Sequence, residues 1–600
     1  MKDFTTRPVI IGKKGVVTAG HYLAATAGHR IIENGGNAID SAAAMSICLN
    51  LLEPQSCGIA GEVPILIYSA EEQKTYSISG VGWSPENFTI EWCKSNGIDL
   101  IPGDGYLPIT APAPIRTWSL GLSKFGTLSF SDILQPAIEL AETGFPIYPR
   151  LHKTLSQNKN KFLNQYPTTG EIYFPKGKLP NIGDLLINKD FANMLKRMVK
   201  AEKNNSNKGR IAAIEAASDE FYKGSIANQI LEFLSNNPIQ DASGKKNKSL
   251  LTYEDISEWH SEIEEPLKYN YSGLDVWKCS SWTQGPVFLQ QLSILKGFDL
   301  KSMGHNTPEY LHTIIESSKL AFADREAYYG DPKFDNIDFD TLLSDSYNEK
   351  RRDLITSKAS KKLTPGEIPN IPYPEYTKTS VHEDNLYSLG IKKRPTKDLG
   401  LGHAHTGATI HLDAIDKYGN MVAATPSGGW LGTSPVIKGL GFPMGTRGQM
   451  FYLNPNRPNA LEPRKRPRAT LTPTLVTKNK LPYMVFGTPG GDSQDQWTLQ
   501  FLLNVVVHKM NLQEALDAPS VHSLHFPSSF YPRNSFPGVI SIEANINDSI
   551  ISDLEKKGHI IQKSDPWSHG KVMGIKYNNR TKLIHGACSA KGIIGYCIGW

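Results

Sequence analysis

The sequence predicts a globular protein of mixed α and β structure, and three observations lead there. Its 600 residues are 39% hydrophobic and 20% charged, without the apolar poverty or charge bias of a disordered chain. Near the N-terminus a pair of helical segments runs into a short apolar stretch of strand length. Late in the chain two alternating segments flank a turn, the pattern of a β-hairpin. Length alone permits several domains or one large layered unit, and the motifs favour one unit.

The helical pair spans Gly20 to Leu52 and breaks at Asn34, Gly35, Gly36 and Asn37. Glycine can stop the first helix, and Asn37 can cap the second. After Pro54 comes the turn-rich SCGIAGE, then Ile65, Leu66, Ile67 and Tyr68 as a strand. Residues 220–234 and 307–329 carry helical periodicity, the second opening on Thr307 as cap with Pro308 in the first turn. The tracts 202–209 and 241–249 are too polar to bury much and read as exposed loops. From 355 to about 408 proline, lysine and polar residues alternate without an apolar period, which reads as a long linker.

That linker ends at TIHLDAIDKYGNMVAATPS, residues 409–427. A turn over Tyr418, Gly419 and Asn420 makes cross-strand partners sum to 836 or 837, so Thr409 faces Ser427 or Gly428. Period-two alternation sets Thr409, His411 and Asp413 on one face and Ile410, Leu412 and Ala414 on the other. By itself the polar face reads as solvated. Farther on, GTPGGD follows the apolar strand Tyr483 to Phe486 and precedes a helix-like run from Gln494. A strand, glycine turn and helix start can present backbone N–H groups to an anion, although paired glycines alone often mark only a tight turn.

Charge and composition exclude several classes. Sixty-four basic against 59 acidic residues leave +5 on a large surface, so no nucleic-acid partner is expected. The cluster Arg464, Lys465, Arg466 and Arg468 sits among prolines and reads as a rigid surface or site-lining loop rather than a phosphate patch. Six cysteines without CxxC spacing read as ordinary thiols. No segment approaches the roughly 20 apolar residues of a membrane span, and no signal peptide is evident, so the cytoplasm is the expected location.

Seven segments carry a more specific message: GVVTAGHYLAATAGHRIIENGGNAIDSAAA, EPQSCGIAGE, DEFYKGSIANQI, FADREAYYGDP, TIHLDAIDKYGN, KRPRATLTPT and GTPGGD. In this order they resemble the γ-glutamyltransferases, the glutathione hydrolase family, over almost the whole chain. The resemblance implies an α+β fold, the four-layer αββα sandwich of N-terminal-nucleophile hydrolases. It implies one chain cut between Ala408 and Thr409 into a large subunit (1–408) and a small subunit (409–600). Thr409 matches the family's nucleophile, whose hydroxyl first attacks the Ala408 carbonyl and later, activated by its own freed α-amine, attacks a substrate amide. A free α-amine, with a reference pKa of about 8, can serve as base near neutrality; a peptide nitrogen cannot. Ser427 stands where the family has a second threonine touching the nucleophile. Gly490 and Gly491 match the oxyanion glycines, and Thr470 matches one of two neighbouring hydroxyls that bind a substrate carboxylate. The implied partners are a small-molecule amide and a water or amine acceptor, and no cofactor is expected.

The sequence departs from this pattern where the γ-glutamyl group is recognised. Val81 occupies the place of a carboxylate-pairing arginine, Gly429 that of an asparagine, Met450 that of the aspartate taking the ammonium, and Ala469 that of a serine. Arg447 lies near a neutral amide of the family and either receives a carboxylate from a new direction or forms a surface ion pair. The residues therefore suit a carboxylated amide without an α-ammonium better than a γ-glutamyl group. A rival reading is a metal hydrolase built on His403, His405, His411 and Asp413. A non-catalytic binding relative is the third, disfavoured because Thr409, Ser427 and the glycine pair are all present.

Overall fold

Two seven-stranded, antiparallel sheets stack face to face in the computed structural model, which describes residues 4–373 and 408–600. The labelled strands are β1 (Ile10–Gly12), β2 (Gly15–Ala19), β3 (Ile65–Ser69), β4 (Lys74–Ile78), β5 (Ile263–Glu264), β6 (Leu267–Tyr271) and β7 (Leu274–Lys278). They continue with β8 (Leu412–Asp416), β9 (Met421–Ala424), β10 (Thr474–Lys478), β11 (Leu481–Gly487), β12 (Met573–Tyr577), β13 (Ile584–Cys588) and β14 (Tyr596–Gly599). One sheet runs β14-β2-β8-β9-β3-β4-β5 and the other β1-β13-β12-β11-β10-β7-β6.

Period-two alternation builds the layers. Val17, Ile65, Ile67, Leu412 and Ala414 point from the first sheet into a core shared with helices, whereas Val16, Leu66 and Ile415 point to the other side. There they meet Leu475, Val485, Met573 and Ile575 of the second sheet. The far face of that sheet, with Val476, Met484 and Phe486, packs on a second helical layer. The order helix, sheet, sheet, helix is the αββα sandwich.

The helices nearest the site follow their local signals. Helix α1 (Tyr22–Glu33) stops at Asn34, and α2 (Ala38–Leu52) starts from Asn37 in a full capping box with Asp40. Such a cap contributes about 1 kcal/mol. Helix α3 (Pro308–Tyr328) opens on Thr307, whose hydroxyl accepts from Tyr310 N. After β11, α4 (Gln494–Val506) begins where the apolar run predicts.

Three expectations need correction. The helical period over 220–234 hides a break: one helix ends at Tyr222, and another spans Ser225–Asn236 with Gly224 at its cap. The tract from 202 is not wholly an exposed loop. Residues 202–204 finish the helix Lys189–Asn204, and buried Glu202 accepts from Phe130 N at 2.7 Å and Ser131 N at 2.6 Å, satisfying the start of the helix Phe130–Thr143. The basic cluster is no surface patch: Lys465, Arg466 and Arg468 are buried and paired with Asp335, Asp331 and Glu326. Most of the proposed linker lies outside the described residues. All six cysteines are buried and free of disulfides.

Candidate active site

The hairpin of β8 and β9 pairs Leu412 with Ala424 and Ile415 with Met421, and the register carries on to an isolated bridge between Thr409 and Ser427. Their hydroxyls are 3.1 Å apart. The polar face of β8 is buried rather than solvated, because the second sheet covers it: Thr409, His411 and Asp413 are each 0% exposed. His411 abuts Gly487 at the end of β11, where a Cβ would come within 2.3 Å of the imidazole. Any side chain at 487 would push the two sheets apart here.

Each polar group on this face has partners. His411 Nδ1 lies 2.9 Å from Thr425 Oγ1, His411 Nε2 lies 2.9 Å from Asp413 Oδ1, and Thr18 donates to Asp413 Oδ2 at 3.0 Å. Nδ1 thus engages the Thr425 hydroxyl and Nε2 the Asp413 carboxylate, and among the described residues His411 and Asp413 do not join a third histidine, cysteine or acid in a cluster of possible metal ligands. His403 and His405 lie outside the described residues.

Ser427 is the hub of the site. Its Oγ accepts from Arg447 Nη2 at 2.8 Å and donates to the Ala408 carbonyl at 3.1 Å. Arg447 is fully buried, so the surface ion pair expected as one alternative is overturned. Its Nη2 also reaches Glu62 Oε2 at 2.9 Å, and among the described residues Nη1 meets the Met450 sulfur, at 3.7 Å. Arg447 Nε and Glu62 Oε1 are buried with no hydrogen-bond partner among the described residues. Burial pushes the Glu62 carboxyl above its ordinary range, against the opposing pull of Arg447. Glu62 and Ser427 also exchange backbone hydrogen bonds of 2.8 and 2.9 Å. Gly428, at φ +68, permits that approach, since a Cβ there would sit 2.1 Å from Glu62 Oε2.

Where the resemblance leads one to expect polar recognition groups, the site is apolar. Met450 clusters with Trp430 and Phe530, while Val81 and Ala469 belong to the core between the sheets. Trp430 Nε1 donates to the Ala408 oxygen at 2.5 Å and to Ser56 O at 3.1 Å. Thr470 is buried, and its hydroxyl has no hydrogen-bond partner among the described residues.

Gly490 and Gly491 adopt φ of +135 and +55, conformations that side chains disfavour, and a Cβ on Gly491 would meet Phe530 at 2.9 Å. The turn thus adjoins the Trp430 cluster, while the hydrogen bonds joining Thr409, Ser427, Arg447 and Ala408 do not extend to it. Asp492 anchors it, accepting from Arg325 Nη1 at 2.5 Å and from Ser529 N at 2.8 Å. Arg325 in turn pairs with Glu326, which also binds Arg468 at 2.6 Å.

Burial would raise the Glu326 carboxyl, but Arg468, Arg325 and Arg457 outweigh it and hold it at about 2. A carboxylate depressed in the fold stabilises above its unfolded pKa, ordinarily 4.5, and loses that contribution as pH falls towards 2. Glu326→Gln should therefore cost roughly 3 kcal/mol at neutral pH and flatten the acid loss of stability, read from urea melts at stepped pH.

Glu62, Trp430 and Phe530 were not singled out from the sequence. Glu62 carries a usable signal, a lone acid closing the apolar, glycine-rich SCGIAGE. Trp430 and Phe530 carry none.

Residues 24–593 match the family model described as Gamma-glutamyltranspeptidase. The chain belongs to the gamma-glutamyltranspeptidase family. It is an autoprocessing enzyme that hydrolyses or transfers acyl groups. Within the family it is similar to the Glutathione hydrolase-like YwrD proenzyme of Bacillus subtilis (strain 168), 29% identical over 583 residues, 96% of this chain and 97% of that one. It is also similar to the Acylase ACY 1 proenzyme of Pseudomonas sp. (strain SE83), 27% identical over 98% of this chain and 94% of that one. Among solved structures, LmbA2991HD is 38% identical with a TM-score of 0.90, both chains covered in full. The cephalosporin acylase from Bacillus halodurans is 28% identical with a TM-score of 0.82, covering 100% of this chain and 98% of that one. Of these, the first carries a glutathione-hydrolase name and two carry acylase names.

Proposed function

We propose that the chain is an N-terminal-threonine amidohydrolase or acyltransferase that cuts itself between Ala408 and Thr409 and then works through an acyl ester on Thr409. The observation that carries this reading is the meeting of the buried Thr409 and Ser427 hydroxyls with the Ala408 carbonyl at one point. Cleavage yields a large subunit, 1–408, and a small subunit, 409–600. The freed Thr409 α-amine is then the base for its own hydroxyl. Gly490 and Gly491 hold the oxyanion of the substrate step with their backbone amides, a role their positive-φ turn and the anchoring of Asp492 support.

The acyl group is a carboxylate-bearing one without an α-ammonium, which sides with the acylases among the relatives. Met450 and Trp430 give an ammonium no acceptor, and the Arg447 guanidinium repels it. A substrate carboxylate goes to Arg447, through the N–H groups that Glu62 and Ser427 leave free, and the unpartnered Thr470 hydroxyl is a second candidate donor. γ-Glutamyl and glutaryl anilides are a matched pair that differ only in that ammonium. The glutaryl compound should be favoured by about 10-fold or more in kcat/KM, since an unpaired buried charge costs upwards of about 1.4 kcal/mol. Preference for the γ-glutamyl anilide would return glutathione-type hydrolysis to the lead.

A further inference from the structure

We propose that the Trp430 indole N–H and the Ser427 hydroxyl form an oxyanion hole for the Ala408 carbonyl, serving self-cleavage and separate from the Gly490 and Gly491 turn. This rests on the reading of Thr409 as nucleophile and adds to it the group that stabilises the first reaction. Two donors converge on one carbonyl oxygen, Trp430 Nε1 at 2.5 Å and Ser427 Oγ at 3.1 Å. An indole N–H only donates, so the sense of its contact is unambiguous.

The protons around Ser427 have a single consistent arrangement. A guanidinium cannot accept and a carbonyl cannot donate, so Ser427 Oγ accepts from Arg447 Nη2 and gives its one proton to the Ala408 oxygen. Thr409 Oγ1 is then left to donate to Ser427 Oγ, 3.1 Å away, which turns a lone pair of Thr409 elsewhere. The charge-assisted bond from Arg447 polarises the Ser427 hydroxyl and makes it the better donor towards Ala408. Arg447 itself stacks over the Trp430 ring at 4.8 Å, which holds the indole in place.

The step balances with water as the only co-reactant. Thr409 Oγ1 bonds to the Ala408 carbonyl carbon, and the carbonyl electron pair moves onto oxygen, where Trp430 and Ser427 hold it. Collapse breaks the bond from Ala408 carbon to Thr409 nitrogen, and that nitrogen takes the proton that Thr409 Oγ1 gives up. The resulting ester is hydrolysed by water to the Ala408 carboxylate and the free Thr409 hydroxyl beside its α-amine. Once Ala408 has gone, Trp430 Nε1 keeps the Ser56 carbonyl at 3.1 Å, so the buried donor is not orphaned.

The test uses the full chain synthesised in a cell-free system, with the conversion of the 66.3 kDa precursor into two fragments followed as a first-order rate. Two variants remove the donor: Trp430→Phe, and a chain carrying at 430 a benzothienylalanine in which sulfur replaces the indole N–H while the ring shape is kept. Losing one oxyanion donor should slow cleavage about 10²- to 10³-fold in both. A benzothienyl chain cutting at the wild-type rate overturns the proposal, and that chain decides if the phenylalanine variant does not fold. A second readout uses the isotope-labelled indole N–H resonances of the ten tryptophans. The Trp430 signal, identified by its loss in Trp430→Phe, should stand far downfield in the uncut Thr409→Ala chain and move upfield in the processed wild type; an unmoved signal also overturns the proposal. Failure of the parent reading looks different, because there Thr409→Ala itself would be cleaved. An uncut Thr409→Ala beside normally cleaving position-430 variants rejects the Trp430 assignment alone.

Discussion

Thr409→Ala should leave the 66.3 kDa chain uncut and inactive, because one hydroxyl serves both the self-cleavage and the substrate reaction. Wild-type protein should instead run as two fragments, the smaller beginning TIHLDAID by N-terminal sequencing. The variant should melt close to an unprocessed wild-type chain, since losing a hydroxyl beside Ser427 removes one hydrogen bond, a net contribution of about 1 kcal/mol. The loss is therefore chemical rather than structural. Full activity from an uncut chain would sink the reading, as would a chelator-sensitive activity that survives the substitution.

Arg447→Met should be the most damaging single change away from the nucleophile. Arg447 and Glu62 are each 0% exposed, and removing one partner of a buried pair typically costs about 3 to 5 kcal/mol because the other charge stays buried and unpaired. The Glu62 carboxyl is already raised by burial against the pull of Arg447, so without Arg447 it rises further and binds a proton in the fold. The folded variant then holds more protons than the unfolded chain, and its stability falls as pH climbs above the ordinary carboxyl value of 4.5. The penalty is smallest near that value. Adding Glu62→Gln removes the buried charge and should recover most of the stability in urea melts, with little remaining pH dependence. Processing should stay slow in the double variant, since Ser427 still lacks the donor that polarises it. Recovery of processing together with stability would show that Arg447 acts only through the ion pair.

Local chemistry made much of this protein legible. The Asn37 cap, the Thr307 start of α3 and the strand at Ile65 all follow from residues within a few positions of one another. The hairpin register follows from its turn and the two-residue period, which is why Thr409 could be set opposite Ser427 before any coordinates. The break at Gly224 was hidden because two consecutive helices on one side of the core keep nearly the same apolar period. The motif order did the rest, pointing to the four layers and to the family.

What only the tertiary structure decided is what surrounds those residues. An alternating strand looks the same whether its polar face meets water or another sheet; the stacking of the second sheet, with Gly487 against His411, buries the nucleophile's face. Charges are equally silent about their partners. Lys465, Arg466 and Arg468 read as part of a rigid surface or site-lining loop, and the acids at 335, 331 and 326 that close on them could not be named. Glu62 and Arg447 lie 385 residues apart and meet because the segment leading into Arg447 bridges the one leading into Glu62, Met444 against Ala60. The Trp430 contact with Ala408 likewise depends on the chain beyond Ser427 folding back over the scissile bond. Periodicity and turn chemistry are short-range and therefore written in the order of residues, whereas burial and charge pairing depend on which distant surfaces the fold brings together.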